Sequence, residues 1–266
     1  MSHIGIIGAG SVGSVVAKRL VAAGHRVKVA NSRGPETLQE FARATGALAV
    51  DIPEVAVGVD VLMVAIPLGQ TRNLPKTVVE ALPEGAVIID AGNYVPLRDG
   101  AISEIESGLP ETTWVSAQLG RSVVKAFNSI SDYSLEHLGK PKGSRGRIAL
   151  PVAGDDARER SVAMRLVEEL GFTAYDAGSL AHSWRQQVGQ AAYCTDLTLD
   201  ELEKIFARAD PKTVTANRNG AMKILARLPT NFPKKDLVRV ARLMIGLDKA
   251  NPVSWFALAR IGLAML

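Results

Sequence analysis

The hexamer Gly8-Ala9-Gly10-Ser11-Val12-Gly13 constrains the fold of this chain more than any other stretch. It follows the apolar run Ile4 to Ile7 and opens an amphipathic segment from Ser11 to Ala23, which places it at a strand-to-helix turn. Each glycine has a physical task there. Gly8 permits a tight turn, Gly10 lets the backbone approach a pyrophosphate, and Gly13 lets the helix lie close to the strand. The amino end of the helix then offers free N–H groups and the positive end of its dipole to an anion. The whole hexamer is a candidate dinucleotide cradle, with a purely structural tight turn as the alternative.

The first two thirds of the chain agree with that reading. Runs at Ile4 to Ile7, Arg26 to Ala30, Val61 to Ile66, Val87 to Ile89, Val123 to Phe127, Ile148 to Val152 and Thr173 to Tyr175 suit strands buried on both faces of a parallel sheet. Helical segments at Ser11 to Ala23, Glu36 to Thr45, Thr71 to Ala81 and Ala157 to Leu170 alternate with them, punctuated by Gly24, Gly46, Pro53 and Gly171. The alternation predicts an α/β fold of Rossmann type, a doubly wound and mostly parallel sheet. Strand signal stops near residue 195. Helices broken at Pro211, Pro229, Pro233 and Pro252 follow, so we expect a nucleotide-binding domain over 1–195 and a helical C-terminal extension over 196–266. With 266 residues, 47% of them hydrophobic, the chain has ample material for a core, which excludes a disordered tail or a collagen-like fibre. One cysteine excludes an internal disulfide and a cysteine-based zinc cage.

The second strand leads into Asn31-Ser32-Arg33. An NAD site would place Asp or Glu here to accept from the ribose 2′-OH, whereas two neutral hydrogen-bonding groups and a cation suit a 2′-phosphate. NADP(H) is the expected cofactor, the alternative being that Arg33 is an ordinary solvated loop cation. Ligands of open α/β sheets sit beyond the carboxyl ends of the strands. Ile66 and Pro67 are therefore expected to flank the nicotinamide ribose, with Ala91 and Asn93 beside them.

No His-Glu-x-x-His helix, metal-ligand cluster or Gly-x-Ser-x-Gly elbow is present, so we expect no metal and no hydrolytic nucleophile. No general acid or base stands out. His182 is the histidine nearest a strand end and a candidate to touch substrate, and Cys194 reads as an inert small hydrophobe. Carbonyl reduction needs a proton donor beside the hydride, while transfer to a flavin-like ring mainly needs two rings held face to face. The sequence suits the second demand better.

Five ordered segments carry a resemblance: Gly8 to Gly13; Asn31-Ser32-Arg33; Val124-Lys125-Ala126-Phe127-Asn128; Pro151-Val152-Ala153-Gly154-Asp155-Asp156; and Asp176-Ala177-Gly178-Ser179-Leu180. Together they resemble the NADP oxidoreductase, coenzyme F-420-dependent family of NADPH:deazaflavin reductases, over roughly residues 3 to 195. Similar domains form the cytosolic half of the six-transmembrane epithelial antigen metalloreductases. The resemblance implies a Rossmann domain binding NADPH, with coenzyme F-420, FMN or FAD as hydride acceptor and homodimers as the usual assembly. It implies that Ser32 and Arg33 hold the 2′-phosphate and that Ala126, Asn128 and Ile130 border the acceptor. Asn128 departs from the His that deazaflavin reductases tend to carry, which leaves the acceptor's identity open, and Ser183-Trp184-Arg185-Gln186-Gln187 is similar to an uncharacterised bacterial branch. An NADP-dependent dehydrogenase of a small carbonyl or hydroxy acid, and a non-catalytic NADP(H)-binding sensor, stay open as alternatives.

The net charge of +4 invites a nucleic-acid reading, but its distribution does not support one. Residues 220–266 carry +6 and the rest −2. Lys235, Arg239 and Arg242 recur at helical spacing, so a solvated helix face is expected first and an acidic partner or membrane surface second. Pro252 to Leu266 is nearly all apolar and reads as a helix packed on its own domain, a dimer element or an interfacial membrane helix. No basic, apolar and small-residue leader and no run long enough to span a bilayer is visible, so the expected address is cytoplasmic.

Overall fold

The computed structural model describes residues 1–229 and 231–265. Its frame is a sheet of six parallel strands, β1 (His3–Ile7), β2 (Arg26–Ala30), β3 (Leu48–Ala49), β4 (Val61–Val64), β5 (Val87–Asp90) and β6 (Val124–Lys125), in spatial order β3-β2-β1-β4-β5-β6. Every residue of β4 and β5 is buried, because apolar clusters on both faces receive side chains that point either way. Ile7 pairs with Ala30 on one side and Val64 on the other, so three strands finish level at their carboxyl ends. The order reverses between β1 and β4, and a crevice for ligands belongs at that point.

Strands β7 (Ala149–Val152) and β8 (Thr173–Asp176) pair parallel to each other as a second ladder. They meet β6 through one antiparallel bridge, in which Lys125 and Ala153 exchange backbone hydrogen bonds of 2.7 and 3.0 Å. The last two expected strands thus form a separate edge ladder. The two-residue β3 is too short to show any periodicity in sequence.

Helix α1 (Ser11–Ala22) follows β1, and α2 (Gln39–Thr45) is entered through a 3-10 turn at Pro35–Leu38. The single helix expected over Thr71 to Ala81 is instead a 3-10 turn, Leu68–Asn73, and a short α3 (Lys76–Glu80). Pro75 separates them, since it lacks an N–H and holds Leu74 extended. Four helices fill the chain between β5 and β7: α4 (Pro96–Asp99), α5 (Ser103–Glu106), α6 (Glu111–Leu119) and α7 (Asp132–His137). Helix α8 (Ala157–Glu169) is capped by Asp156, which accepts from the Glu159 N–H at 2.9 Å.

The remaining elements are α9 (Leu199–Arg208), α10 (Val214–Leu225), α11 (Lys234–Met244) and α12 (Pro252–Ala264). Helix α9 starts in a capping box of Thr198 and Glu201 and sets Leu202 and Phe206 against Ala149, Ala153 and Ala177. That apolar cluster runs across residue 195 without a break. Helix α12 rests Ala257 and Ile261 on Val240 of α11 and leaves Trp255, Phe256 and Leu263 exposed. No described helix is long and apolar enough to cross a membrane. Leu266, the last residue of the apolar stretch, lies outside the described residues.

Four of the eight cations of residues 220–266 are engaged by carboxylates. Lys234 pairs with Asp132, and Arg239 and Arg260 both pair with Asp236. Arg242 binds Glu201 and Asp248, each at 3.1 Å, and donates to the Thr195 and Asp196 carbonyls. The solvated face expected of Lys235, Arg239 and Arg242 therefore holds for exposed Lys235, while Arg242 cross-links the segment to the sheet domain. Its carboxylate partners come from α9 and from the loop after α11, which helical spacing alone cannot reveal.

Candidate functional site

The glycine turn is shaped by close approach. Gly8 sits at φ +107°, and a Cβ there would lie 2.3 Å from the Ala65 carbonyl oxygen. A Cβ on Gly13 would lie 1.9 Å from the Gly8 carbonyl oxygen, so α1 can rest on the strand only without one. Gly10 differs. A Cβ there meets nothing within 4 Å, so no contact in the chain demands glycine and the backbone faces open space. Gly10 also N-caps α1 with no side-chain cap, and the first intrahelical bond is Ser14 N–H to Gly10 O at 3.0 Å. The N–H groups of Ser11, Val12 and Gly13 are left without helical acceptors beside that space. Ala9 and Val12 are half-buried and Ser11 is exposed. This open, uncapped turn fits a pyrophosphate.

At the end of β2, Asn31 uses both ends of its amide on the turn itself. Its oxygen accepts from the Arg33 N–H at 2.9 Å, and its nitrogen donates to Thr37 Oγ1 at 2.9 Å. Asn31 thereby shapes a turn that leaves the side chains of Ser32 and Arg33 exposed. Sequence reasoning missed Thr37, which ties this turn by also donating to the Gly34 carbonyl.

Beyond β4, Ile66 and Pro67 are half-buried at the entrance of the Leu68–Asn73 turn. Beyond β5 and β6 lies an amide network. Asn93 Nδ2 donates to the Asn128 carbonyl and Asn128 Nδ2 to Asn93 Oδ1, both at 3.0 Å. Asn128 Nδ2 also donates to the Gln186 carbonyl at 2.8 Å, and Gln186 Nε2 returns a bond to Asn128 Oδ1 at 3.1 Å. Phe127 stands before Asn128 in the left-handed region at φ +62°, a strained conformation for a bulky residue that aims Asn128 into the network. Ala91, Ala126 and Ile130 are buried around it. His182 is exposed on the Leu180–Gln186 turn, its Nδ1 beside Gly178.

Under this network lies a charged group that sequence reasoning did not find. Asp90, Glu111, Lys125 and Arg218 are each at most 2% exposed. Lys125 Nζ donates to Asp90 Oδ2 at 3.0 Å and to the Gly92 carbonyl at 2.5 Å, and lies 3.8 Å from Glu111 Oε2. Asp90 also accepts from Thr112 Oγ1 at 2.7 Å and from the Gly92 N–H at 2.8 Å. Burial pushes the Glu111 carboxyl up to about 7, against the pull of the Lys125 ammonium. A lysine inside the apolar run Val123 to Phe127 was a legible signal, because a lysine in a buried strand needs a partner.

Burial pushes the Cys194 thiol up to about 12, which suits an inert thiol rather than a nucleophile. The Arg185 guanidinium lies 5.0 Å from the Trp184 ring and 5.9 Å from that of Phe206, tying the Leu180–Gln186 turn to α9. Among the described residues no three His, Cys, Asp or Glu side chains are placed to hold a metal ion. Two surface hollows, one beside Asp60 and Arg165 and one beside Lys140 and Glu168, contain none of the residues of this site.

Residues 3–94 match the family described as NADP oxidoreductase, coenzyme F-420-dependent. The hypothetical protein SMa0349 from Sinorhizobium meliloti is 30% identical and superposes with a TM-score of 0.63, over 74% of this chain and 95% of that one. A protein of Arthrobacter sp. FB24 described as a "putative" F-420-dependent NADP-reductase superposes with a TM-score of 0.60 at 19% identity, over 74% and 100% of the two chains. Escherichia coli YjhV is 47% identical over 75 residues, which is 28% of this chain and 55% of that curated relative, about half its length.

Proposed function

The chain belongs to the NADP oxidoreductase, coenzyme F-420-dependent family, and from that membership we propose that it moves a hydride between NADP(H) and a deazaflavin or flavin ring lying against Asn128. At the coarser level it is an NADP-dependent oxidoreductase on a Rossmann frame. NADPH, when bound, supplies the hydride from its nicotinamide. The N–H groups of the Gly8 to Gly13 turn hold the pyrophosphate, and Ser32 and Arg33 hold the 2′-phosphate on the turn that Asn31 shapes. Ile66, Pro67 and Ala91 flank the nicotinamide ribose. Ala126, Asn128 and Ile130 border the acceptor, and His182 stands on its exposed rim.

The observation that carries the choice of acceptor is the sealing of Glu111 and Lys125, each at 0% exposure. This acid and this base are out of a carbonyl substrate's reach, and exposed His182 lies at the rim. Beside them an amide network, half-buried at Asn93 and buried at Asn128, fixes both side chains in one geometry, as positioning of a flat ring requires. A homodimer belongs to the same reading, with exposed Trp255, Phe256 and Leu263 of α12 as its apolar contact.

Stopped-flow mixing of NADPH with deazaflavin, FMN and FAD, beside a panel of small carbonyls, tests the proposal. We expect bleaching of at least one ring acceptor within a single turnover and no NADPH consumption with carbonyls. Carbonyl-dependent NADPH consumption with all three rings inert would favour the dehydrogenase. Tight NADPH binding with no turnover would favour the sensor.

A further inference from the structure

Half of the residues of helix α10 are exposed, and its one fully buried side chain is a charged one, Arg218 at 2%. The helix comes close enough for this at Gly189, where φ is +84° and a Cβ would lie 2.4 Å from the Arg218 nitrogen. The guanidinium lies 5.0 Å from the Tyr94 ring, immediately after Asn93, and it lowers the pKa of Glu111. Yet Arg218 Nε and one terminal nitrogen, and both Glu111 oxygens, have no hydrogen-bond partner in the chain. A buried guanidinium without direct partners is costly in an ordinary surface helix, so its placement calls for a reason.

Charge supplies one. Asp90 pairs with the Lys125 ammonium, Glu111 lies beside that pair, and Arg218 is the second cation that draws the Glu111 carboxyl toward its ionised form against burial. The other titratable groups coupled to this set are the phenols of Tyr94 and Tyr193. Lys125 and Asp90 between them hold both the N–H and the carbonyl of Gly92, and Gly92 lies between Ala91 and Asn93. We propose that Arg218 is a positioning residue through which the C-terminal helices complete the redox site: with Glu111 it balances the buried charges that fix the Asp90 to Asn93 loop under the nicotinamide. This rests on the dinucleotide reading above and extends it to a part of the chain that the matched family segment does not include.

The test measures the affinities of the full-length chain for NADPH and for 2′,5′-ADP, which carries the 2′-phosphate but no nicotinamide. In Arg218→Met the NADPH affinity is expected to fall about tenfold while that for 2′,5′-ADP stays within about twofold. Glu111→Gln, which keeps the shape of the side chain and guards against a folding failure of the first variant, is expected to produce the same split at about fivefold. The double variant Arg218→Met/Glu111→Gln is expected to return to within about threefold of the wild type, because removing both buried charges is milder than stranding one. Equal losses for the two ligands, no loss for either, or a double variant as weak as the worse single one would each overturn the proposal. Failure of the wild-type chain to bind 2′,5′-ADP at all would count against the NADP assignment instead.

Discussion

The two halves of the proposed site are built by opposite means. The phosphate half consists of neighbours in sequence: one glycine turn and one Asn31–Thr37 turn, their outer faces open to solvent. The acceptor half is assembled from β5, α6, β6, the Leu180–Gln186 turn and α10, and its polar groups are nearly all buried. The first half depends on the absence of side chains, the second on pairing them. Damage to the first should therefore appear mainly in binding of the phosphates, and damage to the second in stability, in the grip on the nicotinamide and in the geometry of transfer.

The largest expected effect falls in the buried half. Lys125→Met strands Asp90 and should lower stability by about 3–5 kcal/mol, read from denaturant unfolding. A loss as small as that of a surface lysine would break the contrast. Next comes pH. The folded-state value of Glu111 lies above its ordinary 4.5, so the native state holds this proton more tightly than the unfolded state does. Its contribution is full below about pH 4.5 and is lost as pH rises through about 7. Glu111→Gln should therefore match the wild type near pH 5 and gain relative to it by on the order of 2 kcal/mol at pH 8. Thermal melts at the two pH values check the sign.

The open half gives smaller and more selective effects. Gly13→Ala forces a backbone clash and should cost about 1–3 kcal/mol of stability together with nucleotide binding. Gly10→Ala should leave the melting temperature unchanged and still weaken NADPH about tenfold, because its Cβ meets no atom of the chain and enters the space proposed for the pyrophosphate. Equal in size but narrower in reach, Arg33→Ala should cost NADPH about tenfold in affinity and leave NADH nearly untouched, by isothermal titration.

The same contrast explains what the sequence disclosed. Gly8 to Gly13 and Asn31 to Arg33 carry their meaning in local spacing, and the parallel frame follows from runs such as Val61 to Val64 that need no partner to be recognised. Asn128 was found through resemblance, but its ties to Asn93 and Gln186 span 35 and 58 residues and leave no local pattern. Glu111 looks like an ordinary acid in the first turn of a helix, and Arg218 like an ordinary cation on a polar one. Their burial is a product of tertiary packing. The break at Pro75 was legible, since proline ends helical pattern by itself, whereas the edge ladder of β7 and β8 turns on a single bridge at Lys125.

The most direct test of hydride transfer beside Asn128 is the single-turnover rate of NADPH oxidation by whichever ring acceptor the stopped-flow panel identifies, compared between wild type and Asn128→Ala. The rate is expected to be at least about tenfold lower in the variant with NADPH affinity within about twofold, because the amide network orients the acceptor and not the phosphates. An unchanged rate, or a loss that lies wholly in NADPH affinity, would contradict it.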